Sequence, residues 1–264
     1  MVTAPALPTF AIVGCGSIAP THAKAIAAQC ASGRKLAVIS QHRFAPSSQR
    51  VRRVIDRGEL GRLVLAEARI PWYRTQEYYD SGPWRGTWAL DGGGCLMNQG
   101  VHTVDLLLWL AGPVKTVYAQ MRTAAHERIE VEDLVTATLT FANGAIGSLM
   151  ATTSSCPGFP AYLGLHGTNG SAAIEGDELH LLAIKGRDTI HGKTATAHAI
   201  PEAHAAPGSW AWGDAHRAQF TDFIHAVRTN GTPLVAGVAG RAAVALINAV
   251  YDSARTGCVV TLAD

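Results

Sequence analysis

The sequence predicts a short α/β beginning followed by a large, mostly antiparallel α+β domain, and three observations carry that expectation. A buried-strand pattern, TFAIV at 9–13, runs into the glycine turn GCGSIA and a helical stretch, THAKAIAAQ. Beyond residue 113 the pattern turns to strands, clearest in DLVTATLTFANGAIGSLMATT, where Val135, Ala137, Leu139 and Phe141 alternate with threonines. Two helical patterns then close the chain.

The elements follow in order. KLAVIS at 35–40 is a second strand candidate. A helix after Pro46 puts Val51, Val54 and Ile55 on one face and ends near Gly58. RLVLAEARIPWY reads as extended, and a loop rich in aromatics follows, with Trp72, Tyr73, Tyr78, Tyr79, Trp84 and Trp88. NQGVHTVDLLLWLAGP reads as a helix stopped by Gly112–Pro113. Asn143–Gly144 supplies a two-residue hairpin turn and Asn169–Gly170 a second. QFTDFIHAV stacks Phe220, Phe223, Ile224 and Val227, and VALINAVYDSARTG stacks Val244, Ile247, Tyr251 and Ala254 before Gly257.

Composition narrows the function. Hydrophobic residues make up 48% of the 264 residues and charged residues 16%, against a usual charged share of about 25%. That balance suits a well-buried globular protein. A formal net charge of +2 gives no electrostatic reason to expect nucleic acid or an anionic membrane as partner. The longest late apolar stretch, LLLWLAG, is too short to span a bilayer. Five scattered cysteines with no C-x-x-C pair suggest reduced thiols and a cytoplasmic location, and no cluster has metal-ligand spacing.

GCGSIA fits G-x-G-x-x-A with Gly14, Gly16 and Ala19. The first glycine permits the tight turn, the second admits a pyrophosphate, and the helix start offers free N–H donors. Gly14, Gly16, Ser17 and Ile18 are therefore the cofactor-contacting candidates. If KLAVIS is the second strand, Ser40 and Arg43 stand where an acidic residue would grip a ribose, which favours NADP. Two strands alone, however, do not build the crevice between two mononucleotide halves.

Further along, DGGGCLMNQGVHTVD spaces Asn98, His102 and Asp105 at i, i+4 and i+7, so one helical face would present all three. Gly92, Gly93 and Gly94 leave the helix entrance bare for a cofactor or sugar ring. Asn98 takes no proton, so His102 is the acid/base candidate for oxidising a secondary alcohol. Tyr73 and Asp105 are the substrate-contact candidates, Tyr73 as a ring that could stack on a sugar. The Glu132–Asp133 pair and the remaining histidines read as surface or strand-end polar residues.

GRKLAVISQHRF, ELGRLVLAEARIPWYR, WRGTWALDGGGCLMNQGVHTVDLL, VEDLVTATLTFANGAIGSL and HGTNGSAAIEG resemble the glucose–fructose oxidoreductase, inositol dehydrogenase and MocA family, as do the glycine turn and the C-terminal helices. The resemblance implies a Rossmann domain joined to an α+β domain whose large open sheet often forms oligomer contacts. It implies NAD or NADP as cofactor and a sugar or cyclitol as substrate. It sets Asn98 and His102 at the substrate hydroxyl and Trp84–Arg85 near the cofactor, and His42 and Arg43 where the two domains meet; Arg43 stays a cofactor-binding candidate from its place after KLAVIS. It also makes KLAVIS the last Rossmann strand and AAQCASG a seam near 27–34. On that reading residues 1–44 are a Rossmann remnant, 45–264 are the C-terminal domain, and on the order of 80 residues of βα units are absent between. The absent part would carry the acidic ribose residue and a Glu–Lys–Pro catalytic lysine; none of Lys24, Lys35, Lys115, Lys185 and Lys193 stands in such a motif. Three functions follow: a sugar or cyclitol oxidoreductase impaired by the loss of that lysine, a shortened inactive relic, or a sugar-binding, oligomerising module.

Overall fold

The computed structural model describes residues 35–192 and 210–262. The glycine turn with Gly14, Gly16, Ser17 and Ile18, and the seam, lie outside the described residues. Segment 35–40 does not form the expected strand. Ala37 makes one isolated bridge to Ala236, and the Val38 N–H donates to the Val235 carbonyl at 3.1 Å. Gln219 completes the pairing from its side chain, accepting from the Ser40 N–H at 3.0 Å and donating to the Val38 carbonyl at 2.7 Å.

A 3-10 turn, Gln41–Phe44, leads into helix α1 (Pro46–Asp56), where Pro46 opens the first turn without needing an N–H donor. Strand β1 (Leu63–Pro71) follows, then a short helix α2 (Gln76–Asp80), a π turn (Cys95–Gln99) and helix α3 (Val101–Ala111). Strands β2 (Val114–Arg122), β3 (Leu134–Phe141), β4 (Ile146–Thr152), β5 (Tyr162–Gly167), β6 (Gly170–Glu175), β7 (Glu178–Ile184) and β8 (Ile190–His191) come next. Helices α4 (Trp210–Arg228) and α5 (Gly237–Thr256) and strand β9 (Val260–Thr261) close the described chain.

The described strands form one open sheet in the order β8-β7-β6-β5-β1-β4-β3-β2-β9, antiparallel except for β1 against β4. The expected mostly antiparallel α+β architecture is thus the observed one. One face is apolar: Ala66, Ile70, Leu139, Leu149 and Leu165 share a core with Val51 of α1, Leu107 of α3 and Leu246 of α5. The other face carries Thr136, Thr138, Thr140, Tyr118 and Ile146, all exposed. Alternation along β3 writes this division directly, since successive side chains leave opposite faces.

Two local expectations change. The β3–β4 turn has three residues: Phe141 N–H reaches the Ala145 carbonyl, and only Gly144 takes positive φ, at 86°. A two-residue type I′ turn needs positive φ twice, which Asn143 does not supply. On α4, Phe220 faces solvent while Ala215, Gln219 and Ala226 are buried. The tight packing of this helix on segment 35–40 favours small side chains there over the larger ones.

Candidate functional site

The site grows from the turn between Asp91 and Gly100. Glu132, 2% exposed, feeds its carboxylate into that turn. Its Oε2 accepts from the Gly94 N–H at 2.9 Å, and its Oε1 accepts from the Leu96 N–H at 3.0 Å and the Tyr251 hydroxyl at 2.8 Å. Its backbone carbonyl accepts from the Cys95 N–H at 3.0 Å. The carboxylate thereby satisfies the free N–H groups that open the π turn, as a helix cap does. Burial pushes the Glu132 carboxyl up, and these donors oppose the shift. A Cβ on Gly94 would lie 1.7 Å from the Glu132 carbonyl oxygen, and one on Gly93 would lie 2.4 Å from the Tyr251 hydroxyl. These two glycines therefore serve close packing, and Gly92 alone of the three opens on free space.

The π turn ends with the Gly100 N–H on the Cys95 carbonyl, and a regular helix starts at Val101. The extra residue breaks the i, i+4, i+7 phase expected for a continuous α-helix. Asn98, His102 and Asp105 consequently meet different partners. Asn98 Nδ2 donates to Asp91 Oδ1 at 2.6 Å, and Asp91 Oδ2 also accepts from the Gly86 N–H at 3.0 Å. His102 sets its ring against that of His42, centroids 5.8 Å apart at 67°. Asp105 takes Arg43 in a bidentate pair, Nε to Oδ2 at 2.7 Å and NH2 to Oδ1 at 2.6 Å. Both side chains are buried, at 7% and 2% exposure, with the guanidinium over Trp109. Arg43 and Asp105, read from sequence as cofactor and substrate contacts, are thus engaged with each other.

His102 is a half-buried residue. Burial, with the charges of His42 and His216 adding to it, pushes its imidazole down to about 4. It is therefore neutral across the physiological range, with a lone pair free to accept a proton.

The aromatic loop packs beside this turn. Gln99 Nε2 donates to the Tyr78 hydroxyl at 3.1 Å, and Arg85 lies over the rings of Tyr78 and Trp84 at 4.2 and 4.3 Å. Trp84 is 40% exposed. Tyr73 sits at the end of β1, bridged to Ser154. The groove of about 460 Å³ between α1 and β7–β8, edged by Arg50, Arg53, Arg57 and Arg187, touches none of these residues.

The Glu132–Asp133 pair, expected as surface or strand-end polar residues, stands immediately before β3 and is buried. Asp133 accepts from the N–H groups of Ala124, Ala125 and His126 and from His126 Nδ1 at 2.8 Å. His126 Nε2 lies 2.8 Å from the Arg74 carbonyl, so both ring nitrogens face acceptors and the ring is an imidazolium. Desolvation resists that charge, and the bonds to Asp133 and Arg74 outweigh it, raising the His126 pKa. Burial would raise the Asp133 carboxyl, but His126 and the backbone donors bring it down to about 2.

The pair gives stability a pH signature. The Asp133 contribution is complete above the unfolded value of 3.8 and is lost as pH falls towards 2. The His126 contribution is complete below 6.5 and is lost as pH rises through its raised folded value. Urea unfolding of the chain across pH should show both slopes, and His126→Gln should flatten the alkaline one. Identical curves for the two proteins would remove His126 from the account.

The profile of the GFO/IDH/MocA C-terminal domain matches residues 48–173. The WlbA dehydrogenase of Bordetella pertussis, solved in complex with NADH and UDP-GlcNAcA, is 31% identical with a TM-score of 0.78, over 93% of this chain and 69% of WlbA. The chain belongs to the Gfo/Idh/MocA family. It is also similar to an uncharacterized oxidoreductase of Synechocystis sp., 27% identical over 61% of the chain and 44% of the relative. Levoglucosan dehydrogenase of Pseudarthrobacter phenanthrenivorans is 23% identical over 82% of the chain and 64% of the relative. The chain thus spans from under half to under two thirds of the length of these curated relatives.

Proposed function

We propose that this chain is an NAD(P)-dependent oxidoreductase acting on a secondary alcohol of a sugar, with residues 1–44 the remnant of the nucleotide-binding domain and 45–264 the family's C-terminal domain. The observation that carries the reading is the likeness to WlbA, solved with NADH and UDP-GlcNAcA, with His102 partly accessible beside the Asn98 turn. A neutral imidazole there takes the hydroxyl proton, and Asn98, braced by Asp91, orients the hydroxyl oxygen. The nicotinamide, when bound, supplies the hydride acceptor.

Trp84 and Arg85 fit such a group among the described residues: one ring is exposed, and one guanidinium has only Ser81, Tyr78 and Trp84 as partners. Gly92 leaves open space at the entrance to the turn. Arg43 does not fit a 2′-phosphate, because it is committed to Asp105. That commitment, with the NADH of WlbA, supports NAD over NADP. UDP-GlcNAcA in WlbA and the name of levoglucosan dehydrogenase support a sugar as substrate. The exposed sheet face with Tyr118 and Ile146 supports a second copy as partner.

A second reading, a sugar-binding module without chemistry, is favoured by the lysines. Lys35 donates to the Asn230 carbonyl and Lys185 to the Thr168 carbonyl, both away from His102. Titration of the chain with NADH and NADPH, read by fluorescence and calorimetry, separates the two. Micromolar NADH binding is expected, tighter than NADPH; no binding at millimolar cofactor would leave the binding module.

A further inference from the structure

His42 is held more firmly than a surface histidine requires. Its Nδ1 lies 2.6 Å from Asp177 Oδ1, with side-chain exposures of 31% and 12%. Asp177 sits in the β6–β7 turn, whose backbone carbonyl at that residue accepts the Ser47 hydroxyl of α1 at 2.6 Å. The next residue along the 3-10 turn, Arg43, is locked to α3 through Asp105. Gln219 of α4 holds the chain just before it. Four elements therefore converge to fix one imidazole, and the ring they fix lies against His102.

A carboxylate on Nδ1 sets the tautomer: Nδ1 keeps its hydrogen as donor, which leaves Nε2 as a proton acceptor. A weakly basic imidazole such as His102 holds a proton only briefly, so a neighbouring group that takes the proton on would draw the transfer forward. His42 is placed for this, with one side on His102 and part of its surface in solvent.

We propose that Asp177 and His42 form a relay behind His102, an inference that rests on the oxidoreductase reading. In alcohol oxidation the O–H bond breaks and the proton forms a bond to a His102 nitrogen. The proton then passes, directly or through one bridging water, across the 5.8 Å between ring centres to His42 Nε2, while His102 returns to its neutral form. The imidazolium so formed is balanced by the Asp177 carboxylate and releases one proton to solvent. The charges around this path are Asp177 from the β6–β7 turn, the mutually neutralised Arg43 and Asp105, and His216 from α4. Asp177 is a positioning residue in this scheme.

Two variants of the full chain test it. Long-range nitrogen–proton NMR at neutral pH should find His42 as the Nδ1–H tautomer in the wild type and in Asp177→Asn, whose amide oxygen still accepts. In Asp177→Ala the ring should revert mainly to Nε2–H. With NAD and the sugar giving the highest rate, Asp177→Asn should lower kcat by about tenfold or more with KM unchanged. A merely structural tie is restored by Asn, so a wild-type kcat in Asp177→Asn overturns the relay. An Nε2–H tautomer in the wild type overturns it as well, whatever the activity. A locked Nδ1–H tautomer in a chain that oxidises no sugar overturns the oxidoreductase reading, and the relay with it.

Discussion

Asp105→Ala is expected to cost about 3–5 kcal/mol of folding stability, because it leaves the Arg43 guanidinium buried without its counter-ion. Both nitrogens that Arg43 commits to the pair lose their acceptor at once. Trp109, 5.6 Å from the guanidinium carbon, offers only a ring face in compensation. The loss comes from desolvation and not from a large net attraction. Replacing both partners by apolar side chains, as in Arg43→Met with Asp105→Leu, should therefore recover most of it. Urea unfolding of the single and double variants checks this. A loss under about 1 kcal/mol in Asp105→Ala would mean that water reaches the pair.

The same pair shows what the sequence displayed and what it hid. Asp105 was visible as a polar residue on an apolar helix, and Arg43 as a basic residue after a strand-like run. That they meet depends on the 3-10 turn folding back over α3, a contact across 62 residues. Strands β3 and β4 were legible because their alternation is local. The parallel pairing of β1 with β4 was not, because it joins Leu65 to Ile146 across the whole α2–β3 stretch.

Glu132 and Asp133 illustrate the harder case. Adjacent acidic residues before a strand suggest a solvated strand end, and composition says the same. Both are buried because backbone N–H groups elsewhere supply their partners: Gly94 and Leu96 for one, Ala124 to His126 for the other. The three glycines at 92–94 offered the one available signal, since two of them leave room for Glu132 and Tyr251 to reach the turn. His42 was legible only as a residue where the two domains meet, and Asp177 gave no signal. Their role depends on a β6–β7 turn arriving beside α1, which no local pattern encodes.

His102→Ala is expected to lower kcat for sugar oxidation by about 10²- to 10⁴-fold, the range for removing a general base. NADH affinity should stay within about twofold, since no described contact of His102 lies with Trp84 or Arg85. The pH dependence makes the assignment sharper than the loss alone. A histidine at its ordinary value of 6.5 would place an inflection in kcat/KM in mid-range, as the base protonates below it. With His102 at about 4, the base itself remains neutral down to that value and adds no inflection near 6.5. The acid limb then falls close to where Asp133 begins to lose its contribution, at 3.8 and below. Rates must accordingly be taken alongside unfolding curves, so that protonation of the base and loss of the fold are separated. An inflection near 6.5 that survives in Asp177→Asn would assign the proton to an exposed histidine elsewhere, and near wild-type activity in His102→Ala would remove this residue from the chemistry.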